Sequence, residues 1–66
     1  MRARPEVRDI LIALKLRYWS LRARYPSAYP NCSQSRARRN FLRLLARHPE
    51  IARRMNLDLR DAYPPL

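Results

Sequence analysis

A chain of 66 residues is one domain at most, and with 47% hydrophobic residues it is too apolar for a disordered polycation. A core of that size supplies only about 3–5 kcal/mol without a disulfide, a metal or a partner subunit, so oligomerisation is expected from length alone. Fifteen Lys and Arg against five Asp and Glu give a net charge of +10, which implies an acidic partner, while a single cysteine, Cys32, excludes an intramolecular disulfide and a multi-cysteine metal site.

Glycine is absent, so the breaks fall to Pro, Asn and Ser, and the six prolines punctuate the chain at 5, 26, 30, 49, 64 and 65. Pro5-Glu6 opens a first helix, predicted over 5–24, with Glu6 and Asp9 complementing the positive end of its dipole. Tyr25-Pro26-Ser27-Ala28-Tyr29-Pro30-Asn31 reads as a turn or short extended loop, because each residue before a proline is pushed out of the helical region. Ser33 or Ser35 can cap a second helix, predicted over 34–47. Pro49-Glu50 repeats the opening of the first helix and starts a short third one, over about 49–56, which Asn56 can end in a left-handed conformation. Residues 57–66 form a tail that finishes in Tyr63-Pro64-Pro65-Leu66 and is expected to be extended. The class is all-α: a helical hairpin, a short third helix and a Pro-rich tail.

The first helix carries two apolar stripes. Val7, Leu11, Leu14, Tyr18, Leu21 and Tyr25, with Ile10 beside them, follow a heptad-like spacing of 4, 3, 4, 3, 4 and are assigned to the core or to a dimer seam. Ile12, Leu16, Trp19 and Ala23 repeat the 4, 3, 4 spacing about 150° away around the helix, at 100° per residue. Arg8, Lys15 and Arg22 form a basic ridge between the stripes, and Arg17 and Arg24 flank the other side. A helix that is apolar on two faces must be covered on both, and the remaining chain is short. The second stripe, with Ile12, Leu16 and Trp19 beside Arg8, Lys15 and Arg22, is therefore assigned to a partner; the alternative is a closed bundle in which the second and third helices wrap opposite sides of the first.

The second helix is cleanly amphipathic. Ala37, Phe41, Leu44, Leu45 and His48 share one face, and Arg36, Arg39, Arg43 and Arg47 form a row on the other. No acidic side chain occurs from Ile10 through Pro49, so the row has no neutralising partner nearby in sequence. Such a row is a solvated face or a contact for phosphates or an acidic protein surface.

Pro49 to Leu57 resembles the first half of a helix-turn-helix DNA reader, with Ala52 inside the first helix and Asn56 in place of the usual turn Gly. The resemblance implies a recognition helix next. Asp58 to Tyr63 instead meets Pro64-Pro65 in less than two turns and brings two acids, so the third helix is taken as a packing element. His48 has no second His or Cys at ligand spacing and Cys32 has no base near it in sequence, so no metal, cofactor or catalytic role is expected. The longest apolar run, Ile10 to Leu14, cannot span a bilayer, and the first residues lack the order of a secretory signal. A cytoplasmic protein is expected, and the glycosylation-like Asn31-Cys32-Ser33 is read as chance. The leading expectation is a non-catalytic regulator, an inhibitor, anti-activator or adaptor similar in size and style to those of phages, dimeric and docked on a larger acidic protein. The alternative is a DNA- or RNA-binding protein that contacts phosphates through its Arg row.

Overall fold

A computed structural model describes residues 5–65, with side chains from Val7 onward; the expected dipole contact of Glu6 and the end of the tail at Leu66 lie outside the described residues. Three α-helices, α1 (Pro5–Arg24), α2 (Gln34–Arg47) and α3 (Pro49–Arg54), are joined by a 3₁₀ turn at Pro26–Ala28 and followed by another at Leu59–Ala62. No strand occurs among the described residues, and the all-α hairpin holds.

Each helix end has a local cause. The Gln34 side chain donates to the Ala23 carbonyl at 3.0 Å, satisfying one of the free acceptors at the end of α1 and tying it to the start of α2. Ser33 caps α2, its hydroxyl accepting from the Arg36 amide at 3.3 Å. His48 ends α2 and precedes Pro49, whose missing amide costs nothing at the first position of α3. At the far end Asn56 sits at φ 58°, and the Leu57 and Asn56 amides return to the Ala52 and Arg53 carbonyls at 2.9 and 3.0 Å. This crossed pair is a Schellman closure, with asparagine serving where glycine is usual.

Packing reverses the assignment of the two stripes on α1. Leu16 and Ala23 are wholly enclosed, and Ile12 and Trp19 pack against a cluster of Leu16, Phe41, Ala52 and Ala62. Val7, Ile10, Leu11, Leu14, Tyr18, Leu21 and Tyr25 remain 37–59% exposed. The heptad-like stripe is therefore not the core, and Ile12, Leu16 and Trp19 are not a free partner-binding face. The reason is electrostatic and steric. Cations border the heptad stripe on both sides, so laying α2 over it would strip water from several charges. The other face offers Ala23 and Ser20 beside Leu16, small enough to let α2 and the tail approach, and Ala37, Ala52 and Ala62 answer them from the opposing elements. The core is thin, with Phe41 and Leu16 as its largest fully enclosed side chains.

The tail also departs from an extended course. Residues 59–62 wind into a 3₁₀ turn held by a capping box: the Asp58 carboxylate accepts from the Arg60 amide at 2.9 Å and the Asp61 carboxylate from the Asp58 amide at 2.8 Å. Its partners are distant in sequence. Ser20 Oγ donates to the Asp61 carbonyl at 2.9 Å, Arg24 Nη1 to the Asp61 carboxylate at 3.0 Å, and Arg38 Nε to the Ala62 carbonyl at 3.1 Å. Ala62 is fully buried, and the Tyr63 ring lies 4.7 Å from the Arg38 guanidinium in a cation–π contact. Tyr63 is extended, and Tyr63, Pro64 and Pro65 are exposed.

Candidate functional site

Heptad spacing and exposure together define one surface on α1. Placing residues at 100° intervals puts Ile10, Leu21, Leu14, Val7, Tyr25, Tyr18 and Leu11 within about 100° of arc. Arg8, Lys15 and Arg22 follow on one side and Arg17 on the other, and Arg8, Lys15 and Arg17 are all exposed. In heptad terms the apolar residues occupy a and d, with Arg8, Lys15 and Arg22 at e and Ile10, Arg17 and Arg24 at g. Because this stripe and the core stripe lie on nearly opposite sides, α1 has almost no net amphipathicity, whereas α2 is strongly amphipathic.

The fold joins this stripe to the second helix. A groove of about 620 Å³ runs between α1 and α2, lined by Leu11, Leu14, Tyr18 and Trp19 from one and Asn40, Arg43 and Leu44 from the other, with Lys15 as its second cation. Arg43 belongs to the Arg row, so two features that are separate in the sequence border one concavity. The row itself, Arg36, Arg39, Arg43 and Arg47, is exposed throughout, and none of the four forms an ion pair among the described residues. The described carboxylates that do form pairs serve other cations: Asp61 takes Arg24, Asp9 takes Arg54 at 3.9 Å and Asp58 takes Arg60 at 3.2 Å. No known family, curated protein or solved structure matches this chain. The chemistry of the surface must therefore carry the functional reading.

One end of the surface is rigidly built. The Arg22 guanidinium lies 3.5 Å from the centre of the Tyr18 ring and 4.3 Å from that of Tyr29, and Nη1 donates to the Tyr18 carbonyl at 3.2 Å. Tyr18 also meets Trp19 edge-on, with ring centroids 4.7 Å apart. An arginine in contact with two rings is a cation held in place at little further entropic cost. Of the residues assigned to a partner from sequence, Arg8, Lys15 and Arg22 thus border the exposed stripe, whereas Leu16 and Ile12 belong to the interior. Trp19 has both roles, half in the core and half in the groove wall. Asn40 and Leu44 were missed, because only the pairing of α1 with α2 brings them to the stripe.

Cys32 Sγ has the Ser33 carbonyl as its hydrogen-bond partner at 3.8 Å, and no cluster of three His, Cys, Asp or Glu that could hold a metal occurs among the described residues. The Arg60 guanidinium, hydrogen-bonded to Asp58, holds that carboxyl below its ordinary value of 3.8, and the same contact pushes Arg60 upward. Both groups are fully exposed, and their contact shapes the tail.

Proposed function

We propose that this chain is a small, non-catalytic regulatory protein, of the inhibitor, anti-activator or adaptor kind, that docks on a larger protein with an acidic surface. The observation that carries the reading is the exposed heptad stripe: six large apolar residues of α1, with Tyr25 just beyond its end, stay open after the chain has formed its own core. Leaving them in water forgoes a burial worth roughly 1.5–3 kcal/mol for each large side chain when complete. An apolar patch of this continuity, framed by cations, is the usual signature of a protein-binding face. Neither catalysis nor phosphate binding has a use for it.

A second reading, binding of DNA or RNA, draws on the exposed Arg row. Arg36 to Arg47 spans about 16 Å of helix at 1.5 Å per residue, long enough to follow several backbone phosphates. The two readings separate in a pull-down with the tagged chain from cell lysate, split into nuclease-treated and untreated halves and repeated with Leu14→Glu. Protein docking predicts a stoichiometric protein that survives nuclease and is lost with Leu14→Glu, at unchanged helical circular dichroism. Material that vanishes on digestion, and that the Leu14→Glu chain still retains, would establish the nucleic-acid reading instead.

A further inference from the structure

We propose that the occupant of the α1 stripe is an acidic amphipathic helix, seated along the groove between α1 and α2 in heptad register. The inference rests on the protein-docking reading and adds the chemistry of the docked element. Three features select a helix of that charge. The first is period. Spacing of 4, 3, 4, 3, 4 from Val7 to Tyr25 alternates d and a positions of a heptad, the pattern by which one helix seats against a second.

The second is shape. Leu11, Leu14, Tyr18 and Trp19 on one side and Leu44 on the other make a concave apolar floor, open to solvent along the hairpin. A third helix laid there completes a small bundle at ordinary interhelical distances of about 8–10 Å. The third feature is charge. The positions that flank a helical seam carry Arg8, Lys15 and Arg22 on one side and Arg17 on the other, Arg24 being taken by Asp61, and Arg43 adds a cation from α2. Pairing with a second copy would set these cations against themselves, at g against e in a parallel pair and at e against e in an antiparallel one. A helix with Asp or Glu at its own flanking positions meets them with opposite charge instead.

The probe is a synthetic peptide of about three heptads with Leu at a and d and Glu at e and g, beside a twin with Lys at e and g. The only tryptophan of the chain, Trp19, lines the groove, so its emission reports binding directly. The Glu peptide is expected to bind, with the Lys twin at least about tenfold weaker. Lys15→Glu combined with Arg43→Glu should remove most of that preference; both side chains are exposed, so the fold persists. Equal binding of the two peptides, or none by the Glu peptide, overturns the inference. So does a Trp19 response to phosphatidylglycerol vesicles that the Glu peptide fails to compete away, which would make the stripe a lipid-facing surface. If the Glu peptide fails while capture of a protein still depends on Leu14, the docking reading stands and only the acidic helix falls. Capture indifferent to Leu14→Glu sinks the docking reading itself.

Discussion

Leu14 and Leu16 stand two positions apart on α1 and differ in their whole environment, the first 59% exposed and the second fully enclosed. Removing the Leu16 side chain deletes one of the two largest enclosed groups of the core, and Leu→Ala at such a site costs about 2–5 kcal/mol. The stability available to a core of this size is about 3–5 kcal/mol. Leu16→Ala should therefore leave the chain largely unfolded at 25 °C, whereas Leu14→Ala should shift stability by no more than about 0.5 kcal/mol. Urea titrations followed by helical circular dichroism decide the matter, and the opposite ranking would return the heptad stripe to the core. The sequence alone favours that wrong ranking, because the stripe with more and larger apolar residues looks like the buried one. What decides burial is the flank. Cations at e and g border the rich stripe on both sides, whereas the poor one has small residues on one of its two. The signal was in the chain, in Ser20 and Ala23 and in the placement of Arg8, Lys15, Arg17 and Arg22, and an apolar count passes over it.

At the level of elements, the helix bounds were legible because each rests on local backbone chemistry: proline at 5 and 49, the Ser33 hydroxyl, and the tolerance of Asn56 for positive φ. The 3₁₀ turn at Leu59–Ala62 was not. Its own sequence is too short to nucleate structure, and its stability comes from Ser20, Arg24 and Arg38, which approach it only after the hairpin has closed. The turn carries a pH dependence of definite sign. Its cap, Asp58, titrates below the ordinary 3.8 when folded, chiefly through the Arg60 side-chain hydrogen bond. A group whose folded value is depressed contributes fully above its unfolded value and loses that contribution as pH falls through the folded one. Amide protection of the turn should therefore be flat above about pH 5 and decline below about pH 4. Asp58→Asn should remove most of that acid-side step, since Asn caps without titrating. A step unchanged in Asp58→Asn would show that the cap is not its source.

For the molecule as a whole, shape and charge bear on self-association. The radius of gyration is 12.3 Å, against about 11 Å for a compact chain of this length, and the extents of 41 × 22 × 15 Å describe a slab with the α1 stripe open to one side. Length alone suggested a homodimer, and the exposed stripe would supply its seam. The flanks oppose it. A dimer along α1 brings Arg8, Lys15, Arg17 and Arg22 against their counterparts in a molecule already carrying +10. Salt separates this repulsion from the attraction proposed for an acidic helix. The screening length falls from about 10 Å at 0.1 M to about 3 Å at 1 M, so added salt weakens both terms. Sedimentation equilibrium should give the monomer mass of 8.0 kDa at low ionic strength, with self-association, if it develops, growing as salt rises. The complex with the Glu peptide should move the opposite way and weaken over the same range. A dimer that is tightest at low salt would mean that some acidic group of one copy meets the cations of the other. The seam would then be a homodimer interface, and the open stripe would already have its partner in a second copy of the chain.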